Sequence, residues 1–459
     1  MRDIYSSLIE IVGSDYVSNQ AEERYLYSMD PGSQEPCAPD FVVLPRQTEQ
    51  VQRILQLANQ EKVPVYCMGA GLVLSGLMRS LKGGILLDMK RMDRVLEVNE
   101  TSRYAIVEAG TTQGVLQAYL QKHHPRLKHS MPDAPPSATI AGNVLIHGSG
   151  HLSQANGFHS DMLNGLEVVL PTGEIARIGS CSVSSYWFSR APLPDLSGLF
   201  IGWSGTTGVV TKLAIKLYPN YRLEDVKILV NENVELMPEI LRRITETQVA
   251  EDMYAWMTPV PDWAKGYQHL NITYAADSEK ALIWKRNLIR ESIKEYIDNK
   301  EAGFMMLPSF MKHRFLEVPS KTLATFADVR KGGGFEYVGA MLPVELFAKA
   351  YHLGLDVAEQ TGVAYSMGSR IIGRNHCMMF FYAYAFNRAD SEDMTRARRA
   401  LEETNEAVLK LGGIPWKAEL PAQKRIIDHM DANTFDLMCK VRSTLDPNGI
   451  MSPGNWEAS

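Results

Sequence analysis

The stretch Cys67–Gly76, CMGAGLVLSG, is the first place where residue types suggest chemistry. It follows the run KVPVY, a predicted strand, and its small residues would let the backbone approach an anion closely. Backbone N–H groups in such a turn can form an anion-binding nest. The spacing matches neither G-x-G-x-x-G nor the Gly-Lys-Ser/Thr phosphate loop. Taken alone, the stretch leaves a phosphate-binding loop and an ordinary tight turn both open.

Composition bounds the class of protein. The chain has 459 residues, 45% of them hydrophobic, and a net charge of −6, so it can bury two or three cores and shows no nucleic-acid footprint. Its five cysteines are widely spaced, which argues against disulfides or a zinc site and predicts no metal centre. Neither a secretory segment nor an apolar run of membrane-spanning length is found. A cytoplasmic protein without nucleic-acid partners is therefore expected.

The elements around the glycine loop alternate between short strands and helices. A helix with Thr48 at its N-cap precedes a strand at Val63–Tyr66, and a hairpin turns at Pro171–Gly173. After Pro219 longer helical patterns appear, with strands near 335–343 and 376–386. We predict an α+β fold with three segments: 1–219, 220–415, and a C-terminal segment, 416–459, that returns to the first.

Five collinear segments resemble one flavoprotein family. They begin FVVLPRQTEQVQRILQLANQ, GGILLDMKRMDRVLEV, PDAPPSATIAGNVLIHGSGH, GFHSDMLNGLEVVLPTGEIARIG and GLFIGWSGTTGVVTKLAIKLYP, and the chain closes with LDPNGIMSPG. Together they identify the chain as a member of the vanillyl-alcohol oxidase / p-cresol methylhydroxylase superfamily, whose aromatic-alcohol branch the later region resembles more than the glycolate/D-lactate branch. The resemblance implies a two-subdomain PCMH-type FAD-binding domain and an α+β cap with an antiparallel sheet covered by helices.

The resemblance also implies FAD and the residues that bind it. The pyrophosphate would lie on the glycine loop, the flavin edge on the PSATIAGN segment, and the adenine or flavin on the backbone of GVVT. The implied residues are Met68, Gly69, Ala70, Gly71, Leu72, Ser75, Gly76, Pro135, Ser137, Thr139, Gly142, Asn143, Val209 and Val210. Non-covalent FAD is expected, because the glycine loop has no histidine and the cap offers Tyr337 only across a gap.

The chain departs from its phenol-oxidising relatives where they bind substrate. Where those relatives have a tyrosine in the glycine loop, this chain has Leu74. Their Tyr-Arg pair is replaced by Trp416-Lys417, and their acid near the flavin is replaced by Ile146. A buried phenolate would lose its donors here, so a simple para-alkylphenol is not the expected substrate. The HGDGN-x-H metal signature of the hydroxy-acid branch is missing as well.

Five residues remain as catalytic candidates. His147 and His151, just after AGN, are candidate bases, although both could be solvent-facing. Arg370 and His376, with Arg374, are candidates for holding a carboxylate, or else form a solvated strand edge. Lys417, in the position of the family's arginine, is expected to meet a substrate oxygen.

Three functions stay open at this stage. The first is an FAD-dependent dehydrogenase, rather than an oxidase, that oxidises a small organic substrate, aromatic or carboxylated, by hydride transfer to flavin N5. The others are a 2-hydroxy-acid dehydrogenase and a non-catalytic flavin subunit of a redox complex. Electrons would leave to oxygen or to a protein partner: an iron–sulfur protein, a cytochrome or an electron-transfer flavoprotein. The choice between a homodimer and a hetero-complex is also open.

Overall fold

The computed structural model describes residues 4–29, 32–73, 77, 79–257, 267–318 and 332–457. The N-terminal sheet has the strand order β1-β2-β4-β3, and its two inner pairings, β2 with β4 and β4 with β3, are parallel. Its elements are α1 (Ile4–Val12), β1 (Val17–Ser18), α2 (Ala21–Leu26), β2 (Phe41–Val43), α3 (Thr48–Glu61), β3 (Val65–Met68) and β4 (Ile85–Asp88).

Helix α3 follows from its apolar spacing. Val51, Ile54, Leu55 and Ala58 are fully buried along one side of it, as the 3.6-residue period predicts. The helix begins at Thr48, and Gln47 rather than Thr48 is its N-cap. Strand β3 lies two residues later than the predicted Val63–Tyr66, so it delivers the chain directly to Gly69.

A second, antiparallel sheet has the order β5-β6-β10-β8-β9. The elements of this region are β5 (Val95–Asn99), β6 (Tyr104–Glu108), α4 (Gln113–His123), β7 (Leu127–Lys128), α5 (Ile140–Leu145), α6 (Ser153–Asn156), β8 (Leu163–Val169), β9 (Ile175–Gly179), β10 (Val209–Lys216) and β11 (Tyr218–Pro219). The two sheets share one hydrophobic core, which the C-terminal residues Ile450 and Met451 also enter.

The largest sheet among the described residues is antiparallel, in the order β15-β12-β14-β13-β17-β18-β16-β19. Its strands are β12 (Leu223–Asn231), β13 (Asp252–Met257), β14 (Gln268–Ala276), β15 (Ala302–Phe304), β16 (Gly333–Leu342), β17 (Ala364–Ile372), β18 (Cys377–Asn387) and β19 (Ile414–Trp416). The helices of this region are α7 (Met237–Glu246), α8 (Glu279–Ser292), α9 (Lys294–Asp298), α10 (Ser309–Leu316), α11 (Phe347–Thr361) and α12 (Ser391–Leu411).

Strand alternation gives this sheet two different faces. On β18, Phe380, Tyr382 and Tyr384 enter the core that includes residues of α7, α11 and α12. Met379, Phe381 and Ala383 point to the opposite face and form a separate cluster with Tyr254 and Phe335. The aromatic strand is thus partly core, as the sequence predicts, and partly the wall of another site.

The C-terminal segment packs back on β3. After α13 (Leu420–His429) and α14 (Ala432–Leu445), the carboxylate of Asp446 accepts hydrogen bonds from the N–H groups of Ile450 (3.0 Å) and Met451 (2.8 Å). That turn aligns the chain so that Ser452 N–H donates to the carbonyl of Val65 at 2.8 Å. The α+β architecture expected from the sequence is therefore confirmed.

Candidate functional site

The glycine loop meets the PSATIAGN segment directly. A Cβ atom built on Gly69 would lie 2.3 Å from Oγ1 of Thr139, so only glycine allows this approach. Thr139 is the N-cap of α5, and its Oγ1 accepts a hydrogen bond from Gly142 N–H at 3.2 Å. Two segments about seventy residues apart in sequence, both predicted to hold FAD, are thus brought into contact.

A cavity of about 330 Å³ adjoins the glycine loop. Residues 68 to 71 of the loop line it together with the basic residues Arg79 and Lys90 and the acidic residue Asp88. Lys90 Nζ lies 2.9 Å from Asp88 Oδ2 and donates to the hydroxyl of Tyr27 at 2.9 Å. Glycine backbone beside two cations suits the charge of a pyrophosphate, so these residues fit FAD. Leu72 follows, partly exposed, whereas Leu74, Ser75 and Gly76 lie outside the described residues.

The other implied FAD residues surround this contact. Pro135 and Ser137 are exposed just before α5, and Asn143, within α5, is hydrogen-bonded through Oδ1 to His159 Nδ1. Val209 and Val210 begin β10 and pair with β8, whereas the β6 ladder starts only at Lys212. The backbone at Val209 and Val210 thus lies past the end of the β6 ladder.

The chain after α5 reaches the large sheet. The indole N–H of Trp416 donates to the carbonyl of Ile146 at 2.5 Å, and the hydroxyl of Ser149 contacts Sδ of Met379 at 3.5 Å. A continuous path of contacts therefore runs from the glycine loop, through α5, to the face of the sheet that carries Phe381.

That face carries a row of four aromatic rings, which we call the aromatic row: Tyr254, Phe381, Tyr337 and Trp416. Successive ring centroids are 5.9, 5.4 and 6.1 Å apart. Gly368 and Gly339 make room for it, since a Cβ on Gly368 would lie 2.0 Å from the Phe381 ring and one on Gly339 would lie 2.6 Å from Trp416. The row crosses strands β13, β18, β16 and β19, and its last ring, Trp416, meets Tyr337 edge-on.

One end of the aromatic row is a buried ion cluster. The guanidinium of Arg370 lies 5.2 Å from the Tyr254 ring and donates to both carboxylate oxygens of Asp252, at 2.9 and 3.0 Å. Its third nitrogen is 2.7 Å from Asp133. His151 has Nε2 3.1 Å from Asp133 and Nδ1 3.7 Å from Asp252. The cluster joins the segment before α5 to strands β13 and β17.

The other end of the row carries Lys417. Its Nζ lies 4.1 Å from the Trp416 ring centroid and 5.7 Å from that of Tyr337. Within the described part of the chain its ammonium has no hydrogen bond and no salt bridge, and its backbone is left-handed, with φ of 55°. Burial without a partner disfavours the charged form and lowers the pKa of Lys417 to about 8.

The two histidines predicted as bases do not face the aromatic row as free imidazoles. His147 is exposed, with Nδ1 3.0 Å from the hydroxyl of Ser160, and its ring packs edge-on against Phe158. Both nitrogens of His151 face carboxylates of the ion cluster. Their role as catalytic bases stays a prediction that this geometry does not favour.

The predicted anion-binding set is not assembled. Arg374 and His376 are exposed in the hairpin turn between β17 and β18, and Arg374 is bonded to Gln248, whereas Arg370 is buried against its two aspartates. The turn projects beyond the strands, so residues four to six positions apart in sequence do not share an environment. His129 is buried, and its Nε2 lies 3.0 Å from Oε1 of Gln113.

Sequence reasoning missed four residues of this site: Asp133, Asp252, Tyr254 and Phe381. Asp133 lies inside the recognised segment PDAPPSATIAGN but was given no role, and DMYAWM shows a two-residue alternation that places Asp252, Tyr254 and Trp256 on one face of β13. That alternation indicates a strand with one face turned inward. It does not indicate which strand this one pairs with.

Comparisons with known proteins agree with this architecture. Residues 39–179 match the FAD binding domain family, and residues 340–456 match the C-terminal domain of FAD linked oxidases. The glycolate oxidase subunit GlcD of Bacillus subtilis is 30% identical over 254 residues, which are 54% of this chain and 52% of that protein. The 4-cresol dehydrogenase [hydroxylating] flavoprotein subunit of Pseudomonas putida is 28% identical over 217 residues, 46% of this chain and 41% of that one.

The structural likeness extends over the whole chain. A crystal structure of p-cresol methylhydroxylase with substrate bound superposes with a TM-score of 0.87 at 20% identity, covering 99% of this chain and 96% of that one. In sequence, the chain spans about half the length of the curated relatives it matches. The chain belongs to the vanillyl-alcohol oxidase / p-cresol methylhydroxylase superfamily of FAD-linked oxidoreductases, and its cofactor is FAD. Across the described residues, no helix combines the length and apolarity needed to cross a membrane.

Proposed function

We propose that this protein is an FAD-dependent dehydrogenase that oxidises a small aromatic alcohol. The observation that carries the proposal is the aromatic row, which ends in a lysine that has no ion pair among the described residues and which contacts the segment after α5. An apolar aromatic wall favours an aromatic substrate, and Lys417 supplies one polar group at its edge.

Each residue of the row has a physical role in this proposal. Tyr337 and Phe381, stacked with centroids 5.4 Å apart, offer ring faces and edges to an aromatic substrate. Lys417 meets the substrate's oxygen. The buried hydroxyl of Tyr254 has no hydrogen-bond partner among the described residues, so it is a second group that a substrate oxygen can satisfy. The Trp416–Ile146 hydrogen bond holds the row against the cofactor segment.

FAD, when bound, supplies an acceptor for the hydride that leaves the substrate carbon. The residues that would hold it are the glycine-loop backbone from Met68 to Leu72, with Thr139, Gly142 and Asn143 of the second segment. Non-covalent attachment and a protein or oxygen as the final electron acceptor remain part of the proposal. The name of the Pseudomonas relative, a flavoprotein subunit, supports looking for a partner chain.

A 2-hydroxy-acid dehydrogenase is the second candidate, because the Bacillus relative is a glycolate oxidase subunit. Against it, the guanidinium of Arg370 already donates to two aspartates and is not presented to a substrate carboxylate. Lys417 alone would then have to hold the acid. We therefore rank the aromatic alcohol first.

Anaerobic bleaching of the flavin band tests the proposal. Purified protein reconstituted with FAD is mixed separately with benzylic alcohols, 4-alkylphenols, glycolate and D-lactate. Bleaching by the benzylic alcohols is expected. Bleaching by the hydroxy acids alone would establish the second candidate, and no bleaching by any of the four classes would leave the non-catalytic subunit.

Substitution in the glycine loop tests the cofactor site. Gly69→Ala would place a methyl group 2.3 Å from Thr139 Oγ1, whereas Gly198→Ala meets nothing within 4 Å and serves as the matched control. Because the two FAD-binding segments must separate, we expect Gly69→Ala to weaken FAD binding by about tenfold or more, the equivalent of 1–3 kcal/mol of overpacking. Fluorescence titration of the apoprotein with FAD measures it. Equal affinities of the two variants would contradict the assignment.

A further inference from the structure

Oxidation of an alcohol removes a hydride from carbon and a proton from oxygen, so the site needs a proton acceptor. On the aromatic row, Arg370 cannot act as one because a guanidinium stays protonated. Burial raises the pKa of the hydroxyls of Tyr254 and Tyr337 far above neutrality, so both stay protonated and can only donate. Both nitrogens of His151 face carboxylates. Asp133 and Asp252 are both ion-paired with Arg370. Lys417 is the titratable group at the opposite end of the row, and it has no ion pair among the described residues.

The surroundings of Lys417 favour its neutral amine. Its Nζ lies among the rings of Trp416 and Tyr337, and no carboxylate of the described residues lies within salt-bridge distance. An ammonium in such a place loses hydration without gaining an anion, which is how lysines become bases in proteins. The similar phenol-oxidising enzymes have an arginine at this position, and a guanidinium could not lose its proton in the same way.

We propose that Lys417 is the general base of the reaction, taking the proton of the substrate hydroxyl as the hydride leaves for the flavin. This inference rests on the proposed function. The balance is complete: the alcohol loses its O–H proton to the neutral amine, the carbon loses a hydride that carries both electrons and would be accepted by oxidised FAD, and a carbonyl product remains. Lys417 then returns its proton to solvent before the next turnover.

The sign of the pH dependence separates a base from an anion-stabilising cation. The pKa of Lys417 is lowered to about 8, so a base role predicts that flavin reduction accelerates as pH rises through 8. A cation that only stabilises an oxyanion predicts the reverse. The groups near it are Tyr337 on β16, which stays protonated, and Glu419, two residues along, which contacts Asn405 and titrates near 7. The Glu419→Gln variant removes that second titration.

The experiment follows flavin reduction by a benzylic alcohol in a stopped-flow instrument between pH 6.5 and 9.5. Three variants are compared: Lys417→Arg, Lys417→Met, and the control Lys410→Met, whose exposed lysine pairs with Glu406 on α12. Lys417→Arg keeps the cation but not the base, so its rate should fall by about 10²-fold or more, and its inflection near pH 8 should vanish. A Lys417→Arg rate within about threefold of the parent, or a parent rate that falls through pH 8, would overturn the proposal.

A second measurement needs no turnover. Acetylation of Lys417 by a small anhydride, located by peptide mass spectrometry, proceeds only from the neutral amine. Half-maximal labelling near pH 8 is expected, against about 10.4 for an ordinary lysine. A midpoint above 10 would overturn the base assignment even if aromatic alcohols reduce the flavin. A labelling midpoint near pH 8 combined with no flavin bleaching by any substrate would instead overturn the proposed function.

Discussion

The two ends of the aromatic row surround a cation in opposite ways: Arg370 is buried and ion-paired, whereas Lys417 is half-buried against aromatic rings. At the Tyr254 end, Arg370 has two aspartates within hydrogen-bond distance and a histidine beyond them. At the Trp416 end, Lys417 has aromatic rings and no anion among the described residues. Arg370 lies on β17 and Lys417 follows β19 of the same sheet, so the difference lies in the side chains that neighbouring segments contribute at each place.

The difference in ion pairing assigns a structural role to one end of the row and a chemical role to the other. A guanidinium held by two carboxylates from different segments is a cross-link, because removing it would leave buried charge uncompensated. A lysine without a counter-ion costs stability, and such a cost is retained where a reaction needs a proton acceptor. We therefore read the Arg370 end as the anchor of the site and the Lys417 end as its reacting edge.

Arg370→Met should have the largest effect on stability. It leaves the buried carboxylate of Asp252 and the half-buried carboxylate of Asp133 without their guanidinium, so the free energy of unfolding should fall by about 3–5 kcal/mol. Urea denaturation followed by circular dichroism measures it. The control is Arg374→Met, whose exposed side chain should change stability by no more than about 0.5 kcal/mol. Equal losses in the two variants would mean that the ion cluster is not an anchor.

Glu419→Gln should stabilise the protein at alkaline pH. Burial raises the pKa of Glu419 to about 7, and Asn405 donates to its Oε1 at 3.0 Å, a bond that glutamine can keep. Because the unfolded carboxyl ionises near 4.3, the native state is penalised increasingly from that pH up to 7. A gain of about 3–4 kcal/mol is expected at pH 8 and almost none at pH 4. Urea denaturation of both proteins at pH 4 and pH 8 measures the gain. An equal gain at the two pH values would contradict the proposed penalty from ionised Glu419.

Lys417→Met should give a smaller gain with the opposite pH dependence. The folded pKa of about 8 lies below the unfolded value near 10.4, so the parent protein carries a penalty below pH 8 that fades as pH rises to 10.4. The variant should melt at a higher temperature at pH 7 and at the same temperature as the parent near pH 10.5. Lys410→Met is the control. A lower melting temperature at pH 7 would show that Lys417 has a counter-ion.

Local sequence was sufficient for much of this protein. The collinear motifs identified the FAD-binding architecture, and apolar periodicity located α3. The carboxylate of Asp446 caps the turn that follows α14. The contact of Gly69 with Thr139 joins two segments that the motifs had already marked. Such features depend on neighbours a few residues away or on patterns shared with relatives.

The site's charge pattern depended on strand register instead. Tyr254 pairs with Arg370 and Gly339 with Trp416, pairings between strands far apart in the chain, and a slip of one residue would turn each side chain to the helix-covered face. The sequence by itself determined the cofactor, the order of elements and the presence of Lys417 and Arg370. Only the tertiary structure decided which of the two has a counter-ion, because burial and pairing are set by segments that meet after folding.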